Sequence, residues 1–192
     1  MPSANFMDVD WSALPSPVDD GGARHLTGAA LPDVALSATD GSIVSLARLT
    51  GRTVVFVYPM TGRPGIALPE GWDQIPGARG CTPQTCAFRD IYVELKEAGA
   101  AHVYGFSTQD FAYQQELAER LHLPFPLLSD SDLEFSSAAR LPMMTVENMT
   151  LAKRLALIID DGMVSHVFYP VFPPDRNAGD VLSWLQSNRR SQ

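Results

Sequence analysis

The amino-acid sequence predicts an α/β domain with a mixed central β-sheet flanked by helices. Short apolar runs alternate with helix-compatible segments, two Asp-Gly pairs mark tight hairpin turns, and an amphipathic helix follows near the C terminus. With 192 residues and 45% hydrophobic content, the chain is long enough to bury one core without a metal or disulfide staple. We therefore expect a single domain at 28–192, preceded by an N-terminal arm at 1–27.

The first half of the domain is predicted to hold a hairpin and one buried strand. Alternating apolar residues at 32–36 and 42–46 flank Asp40-Gly41, a pair that favours a two-residue hairpin turn. One short helical turn is expected at 46–49. The run at 53–58 is almost entirely apolar, as expected for a central strand that is covered on both faces.

A long loop separates this strand from the two cysteines of the chain. The stretch 60–80 is interrupted by prolines and glycines, so neither helix nor strand should persist in it. Loops longer than about 12 to 15 residues inside a compact domain are usually functional or disordered. We expect Trp72 and Ile75 to anchor this loop over a pocket that contains Cys81.

The second half alternates helices and strands and then adds a hairpin and a last helix. The two apolar runs of that hairpin flank Asp161-Gly162. Residues 143–151 are predicted to be irregular. Predicted helices lie at 86–98, 110–121, 133–141 and 177–187, and predicted strands at 101–106, 125–130, 154–160 and 163–169.

The run CTPQTCAFRD at 81–90 holds both cysteines and directs the search for function. Cys81 is expected where a helix first presents unpaired backbone N–H groups, which stabilise an anion such as a thiolate. The alternative is a small buried hydrophobe, a common use of free cysteine. Five residues along a helix rise by about 7.5 Å, and a disulfide needs its Cα atoms within about 7 Å. A bond between Cys81 and Cys86 therefore requires the first helical turns to unwind.

This run resembles the active-site run of the peroxiredoxins, in particular the bacterioferritin-comigratory (Q-type) group. The resemblance covers most of the chain, from about Gly28 to Trp184, and includes 56–59 and 154–162. It implies a thioredoxin-like fold with an N-terminal hairpin extension. It also implies a thiol-dependent peroxidase that reduces hydrogen peroxide or organic hydroperoxides. Cys81 would form a sulfenic acid, Cys86 would resolve it, and a thioredoxin or similar dithiol reductant would recycle both thiols.

Arg154 is the candidate cation of the site. It begins an otherwise apolar strand, and by resemblance it matches the arginine that contacts the reactive cysteine and the peroxide in this family. A guanidinium near Cys81 would stabilise the thiolate and the oxygen that leaves the peroxide. The alternative is an exposed charge at a strand end. Arg140 and Arg63 are weaker candidates for the same role.

The family pattern is broken at the hydroxyl group that precedes the reactive cysteine. Peroxiredoxins place a threonine or serine three residues before that cysteine, where this chain has Ala78. They place a proline seven residues before it, whereas Pro59 lies 22 residues before Cys81, so about fifteen residues are inserted. Pro59, Thr61 and Thr82 are the candidate substrate-binding residues. A missing hydroxyl would weaken peroxide positioning by about 1 to 3 kcal/mol and lower the activity without abolishing it.

Charge and composition limit the other partners. A formal charge of −8 argues against binding to nucleic acid or to an anionic membrane. No apolar run of about 18 residues occurs, and Met1 to Asp20 lacks the features of a secretion signal, so a cytoplasmic location is expected. The four histidines show no paired spacing with the cysteines, and we expect no metal and no cofactor.

Two alternatives to the peroxidase remain open from the sequence. One is a protein dithiol-disulfide oxidoreductase, although that chemistry in thioredoxin-like folds usually places two residues between the cysteines, and this chain has four. The other is a non-catalytic redox-sensing or binding module, which the broken hydroxyl pattern favours. The sequence is compatible with a monomer or a homodimer.

Overall fold

A computed structural model describes residues 9–189; the first eight residues of the predicted arm lie outside this range. The elements are β1 (Leu36–Ala38), β2 (Ile43–Val44), β3 (Arg52–Val57), α1 (Cys81–Asp90), α2 (Tyr92–Glu97), β4 (His102–Ser107), α3 (Phe111–Arg120), β5 (Leu127–Ser129), α4 (Glu134–Ala139), β6 (Met143–Val146), β7 (Met149–Ala152), β8 (Leu155–Asp160), β9 (Met163–Phe168) and α5 (Asn177–Ser187). Short 3-10 helices lie at Trp11–Ala13, Leu46–Arg48, Trp72–Gln74 and Pro174–Arg176.

Seven strands form one mixed sheet, which confirms the predicted α/β class. Their order is β2-β1-β5-β4-β3-β8-β9. The central strand β3 pairs parallel with β4 and antiparallel with β8, over six residues from Arg52 opposite Asp160 to Val57 opposite Leu155. The predicted hairpins β1–β2 and β8–β9 are both present. The C-terminal end of β3 and the N-terminal end of β8 therefore lie side by side in the sheet.

Side chains alternate between two cores along β3. Val55 and Val57 face one core, which the segment before β1 and α4 cover. Phe56 and Tyr58 face the other core, which α1, α2, α3 and α5 cover. Phe56 stacks on Phe88 of α1 with ring centroids 4.2 Å apart. This contact holds α1 flat on the sheet, so its first turn lies beside the end of β3.

A third cluster of apolar side chains joins the long loop to the hairpin β6–β7. Trp72 and Ala78 of the loop pack against Val146 and Leu151. The prediction of irregular structure at 143–151 is wrong, because β6 and β7 form a four-residue antiparallel ladder. The turn between them contains Glu147 at φ 53° and no glycine, so it lacks the Asp-Gly pattern that marks the other hairpins.

The first helix also differs from its prediction. It begins at Cys81 rather than at residue 86, and it ends at Asp90; the chain breaks at Ile91, with φ −115° and ψ 22°, before α2 begins. Pro83 is tolerated in the first turn because the N–H that it lacks would have no acceptor within the helix. Both cysteines therefore lie in one regular helix.

The described part of the arm contacts the segments around the starts of α1 and β8. The indole Nε1 of Trp11 donates to Asp175 Oδ2 at 2.9 Å. Further along, Asp20 accepts from Lys153 Nζ at 2.6 Å and from the hydroxyl of Tyr169 at 2.8 Å. These contacts hold the arm against the segment that leads into β8 and the segment that leads into α5.

Candidate active site

Gly80 determines where α1 starts and thus where Cys81 lies. Its φ of 103° falls in the left-handed region, which side-chain-bearing residues rarely adopt. A Cβ at this position would lie 2.6 Å from Trp11 Cη2 and 2.7 Å from Pro174 Cγ, so any side chain would force these neighbours to shift. No side chain caps the helix. The first backbone N–H groups of α1 therefore remain available to a negative charge at Cys81.

The structure brings Arg154 and Cys81 together. Arg154 immediately precedes β8, and its Nη2 donates to Cys81 Sγ at 3.1 Å. Both residues are buried, each with 3% of its surface exposed. A guanidinium at this distance and in this low-dielectric surrounding stabilises negative charge on the sulfur.

Backbone carbonyls of the long loop share the same guanidinium nitrogen. Arg154 Nη2 also donates to the carbonyl oxygens of Gly77 at 3.2 Å, Ala78 at 3.0 Å and Arg79 at 3.2 Å. The Ala78 oxygen lies 3.5 Å from Cys81 Sγ. The end of the loop therefore surrounds the group that is predicted to bind peroxide.

Ala78 occupies the sequence position at which the family pattern has a hydroxyl. Its side chain packs into the apolar cluster with Trp72 and Leu151, whereas its carbonyl oxygen faces the sulfur. A serine or threonine side chain here would point into that cluster. In this chain, residue 78 therefore presents a backbone carbonyl, which is a hydrogen-bond acceptor, to Cys81 in place of a hydroxyl group.

Two buried amides extend the contact network away from the sulfur. Arg154 Nη1 donates to Gln84 Oε1, and Gln84 Nε2 donates to Asn177 Oδ1 at 2.9 Å. Both amides are almost completely buried. Neither amide was predicted from the sequence to be a site residue. The one signal in the sequence was a polar residue at position 84, one turn beyond Cys81 in a helix that packs on the sheet. No pattern in the sequence near Asn177 indicated a role in the site.

The predicted substrate-binding residues take different positions. Thr61 is buried and its hydroxyl donates to Gln109 Oε1 at 3.1 Å, so this proton is already used. Thr82 lies beside Cys81 against a small cavity. Pro59 lines a larger cavity of about 240 Å³ together with Arg154.

The two weaker cation candidates do not reach the sulfur. Arg63 stacks on Tyr113, with its Cζ 4.3 Å from the ring centroid, and pairs with Glu116 at 3.5 Å. Arg140 lines another cavity, next to His25. Among the described residues, Arg154 is the basic residue whose hydrogen bond to Cys81 the structure shows.

A cover of loop residues lies over Cys81. The cavity at the sulfur has a volume of only about 10 Å³, and its cover includes Met60, Leu68 and Trp72. Trp72 is itself buried. The larger cavity on the Arg154 side is mostly apolar and includes Pro17 and Val18 of the arm.

Cys86 is a buried free thiol on the same helix. Burial raises its pKa, and the nearby Arg89 opposes that rise only in part, so the neutral thiol is favoured. Thr85, its neighbour, donates its hydroxyl to the Cys81 carbonyl at 2.9 Å inside the intact helix. In this conformation the helix keeps the two sulfurs unbonded.

Two further features concern partners. Over residues 9–189, no group of three or more His, Cys, Asp or Glu side chains is placed to hold a metal ion. Within the same described range, no helix combines the length and the apolar character needed to cross a bilayer.

A buried cysteine at a helix start, with an arginine guanidinium against its sulfur, is the kind of site that a thiol-based protein of thioredoxin-like fold presents. The Redoxin family profile matches residues 26–182. The chain belongs to this family and, within it, to the peroxiredoxins of the Q group. Both the family resemblance and the thioredoxin-like fold predicted from the sequence are confirmed.

Relatives and solved structures agree on this family. A protein named "Peroxiredoxin Q, chloroplastic" from Oryza sativa subsp. japonica is 36% identical over 162 residues, which cover 83% of this chain and 66% of the relative. Its counterpart from Populus jackii is 33% identical over 167 residues, which cover 86% of this chain and 70% of the relative. The chain thus spans just under two thirds of the rice relative's length.

Among solved structures, peroxidoxin BcpB from Mycobacterium tuberculosis matches with a TM-score of 0.66 and 27% identity, over 85% of this chain and 98% of the other. Peroxiredoxin Q from Xanthomonas campestris matches with a TM-score of 0.65 and 22% identity, over 83% and 96% of the two chains. The latter match concerns the fold.

The relatives' names contradict the predicted cytoplasmic location. The plant relatives are each named chloroplastic proteins. The prediction rested on the composition of the first 20 residues, and the lack of a basic, apolar leader excludes only one of several kinds of targeting segment. The cytoplasmic assignment is therefore wrong by this comparison.

Proposed function

We propose that this chain is a thiol-dependent peroxidase that reduces hydrogen peroxide or an organic hydroperoxide through Cys81. The observation that carries the proposal is the 3.1 Å contact between Arg154 Nη2 and Cys81 Sγ at the start of α1. Arg154 supplies a cation, and the start of α1 supplies free backbone N–H groups, to one buried sulfur. The curated relatives of 32 to 36% identity that bear the name peroxiredoxin Q support the same chemistry.

In the first step, the Cys81 thiolate attacks the terminal oxygen of the hydroperoxide. An S–O bond forms and the O–O bond breaks, so two electrons pass from sulfur to the peroxide and Cys81 becomes a sulfenic acid. The other oxygen leaves as an alkoxide or hydroxide and takes up a proton. Arg154 stabilises the charge that develops on this oxygen. The carbonyls of 77–79 must shift first, because they share the nitrogen that the peroxide needs.

In the second step, the Cys86 thiol condenses with the sulfenic acid. An S–S bond forms and water leaves. The helix must unwind for this bond, because five residues of helix separate the two Cα atoms by a rise of about 7.5 Å, and a disulfide needs them within about 7 Å. Unwinding also exposes Cys86 to water and removes the burial that raises its pKa. A thioredoxin-type dithiol then reduces the disulfide by two exchange steps and is itself oxidised.

A coupled assay tests the proposal. With peroxide, thioredoxin and a thioredoxin-reducing system, the wild-type chain should turn over. Cys81→Ser should consume no peroxide. Cys86→Ser should be oxidised once and keep a sulfenic acid that dimedone traps, seen as a mass increase on the peptide that contains Cys81. Continued turnover by Cys81→Ser would contradict the assignment.

The alternatives predict other outcomes of the same assay. A dithiol oxidoreductase would reduce the disulfides of insulin without consuming peroxide, but Cys81, a residue that is only 3% exposed, is poorly placed to attack another protein. A redox-sensing module would be oxidised once per chain and would not turn over with any donor. The carbonyl in place of the family hydroxyl is the feature that favours this second alternative.

A further inference from the structure

Three buried polar side chains connect α5 to the reactive sulfur. Asn177 accepts from Gln84, Gln84 accepts from Arg154, and Arg154 donates to Cys81. We infer that Asn177 is a positioning residue for the reaction of Cys81, because it fixes the orientation of the Gln84 amide that holds Arg154. The inference rests on the proposed peroxidase function and assigns a role to a residue nearly one hundred positions away in the sequence.

The orientation of the Gln84 amide follows from the chemistry of its neighbours. A guanidinium has five N–H donors and no acceptor, so Gln84 must turn its oxygen towards Arg154. The NH₂ group of the same amide then needs an acceptor on the opposite side, and Asn177 Oδ1 supplies it at 2.9 Å. If the amide were reversed, N–H groups would face N–H groups. Asn177 Oδ1 supports the orientation that Arg154 requires, because it accepts from the Gln84 NH₂ group.

Water is poorly placed to take over this role. Gln84 has no exposed surface and Asn177 has 1%. A buried N–H that is left without a partner destabilises the arrangement that contains it. Asn177 is also held in place by the fold, since it begins α5 directly after the 3-10 helix Pro174–Arg176, whose first residue lies against Gly80.

Gln84 matters most when the loop moves. Arg154 Nε is buried and has no hydrogen-bond partner, so the two Nη groups alone hold the guanidinium. Nη2 is bound to the loop carbonyls, which must shift for peroxide to enter, whereas Nη1 is bound to Gln84. At that moment Gln84 is the remaining fixed anchor of Arg154, and Asn177 is the anchor of Gln84.

The experiment compares Asn177→Leu in two backgrounds, Gln84 and Gln84→Glu. Leucine has the same branching at Cγ and no acceptor. A carboxylate at position 84 presents oxygen in either orientation, so it no longer needs Asn177. The readouts are the second-order rate constants for Cys81 oxidation by hydrogen peroxide and for Cys81 alkylation by iodoacetamide, both followed by peptide mass, with the melting temperature beside them.

In the Gln84 background, Asn177→Leu should lower the peroxide rate constant by about tenfold, equivalent to about 1.4 kcal/mol. In the Gln84→Glu background, the same change should alter it by less than about twofold. Asn177→Asp, which keeps the acceptor, should stay within about threefold of wild type. Asn177→Asp also keeps the inference testable if Asn177→Leu does not fold.

An equal loss in both backgrounds would show that Asn177 acts only through general packing and would overturn the inference, as would an unchanged rate in the single variant. A tenfold loss in Asn177→Asp would overturn it as well. If wild-type Cys81 does not react with peroxide, but Asn177→Leu changes its alkylation rate in the Gln84 background and not in the Gln84→Glu background, the peroxidase proposal fails and the role of Asn177 stands.

Discussion

The substitution Gly80→Ala should destabilise the fold by an amount that the contacts around Gly80 determine. Its φ is 103°, and an L-residue in the left-handed region costs roughly 1 to 2 kcal/mol. The added Cβ would lie 2.6 Å from Trp11 and 2.7 Å from Pro174, and such overpacking costs roughly 1 to 3 kcal/mol more. The sum, roughly 2 to 5 kcal/mol, is a large part of the 5 to 15 kcal/mol that stabilise a typical domain.

The matched control is Gly28→Ala. Gly28 also has a positive φ, 81°, but no atom lies within 4 Å of its added Cβ, so this variant carries the backbone cost alone. Urea unfolding at pH 7 should therefore show Gly80→Ala to be less stable than Gly28→Ala by roughly 1 to 3 kcal/mol. Equal stability of the two variants would refute the view that Trp11 and Pro174 close tightly over the start of α1.

Three further predictions concern the site and the arm. Arg154→Lys should lower the peroxide rate constant of Cys81 by about a hundredfold, because an ammonium cannot replace the forked guanidinium; stopped-flow kinetics checks this, and a loss below threefold would contradict it. The hydrogen bond from Lys153 holds the pKa of Asp20 below its usual value. The stability advantage of wild type over Asp20→Asn should therefore be present at pH 7 and shrink as the pH falls below about 3.9, which thermal unfolding across pH measures. Trp72→Ala removes part of the cover over Cys81, so iodoacetamide should alkylate Cys81 at least about threefold faster, as measured by peptide mass, and the lost packing should destabilise the fold by about 3 to 5 kcal/mol. An unchanged alkylation rate would show that Trp72 does not limit access to Cys81.

The elements that the sequence predicted well are those whose pattern is local. The apolar run of β3, the Asp161-Gly162 hairpin and the bounds Asn177–Ser187 of α5 follow from burial on both faces, from turn chemistry and from amphipathic spacing. The position of Cys81 at a helix start was also predicted, because a strand-like run precedes it and a helix-compatible segment follows it. Its pairing with Arg154 came from family resemblance, since no local pattern relates residues 73 positions apart.

The parts that were missed depend on contacts between distant segments. The strands β6 and β7 are stabilised by Trp72 and Ala78 of the loop, which no window around residue 147 contains. The contact between Asn177 and Gln84 depends on α5 lying against α1, and a polar residue at the start of a helix is usually only a cap. Thr61 was a reasonable candidate hydroxyl, yet Gln109 binds it, and that pairing joins the end of β3 to the segment after β4.

The hydrogen bonds of Arg154 indicate what limits access to the sulfur. Nη2 has two hydrogens and four acceptors within 3.2 Å, namely three loop carbonyls and Cys81 Sγ, so each bond is shared and weaker than a full one. A peroxide oxygen that displaces one carbonyl exchanges one acceptor for another, and the guanidinium loses little. The cost of opening therefore lies in moving the backbone of 77–79, which Ala78 ties to Trp72 and the β6–β7 hairpin. The inserted loop, rather than the charge of Arg154, should set the rate at which peroxide reaches Cys81.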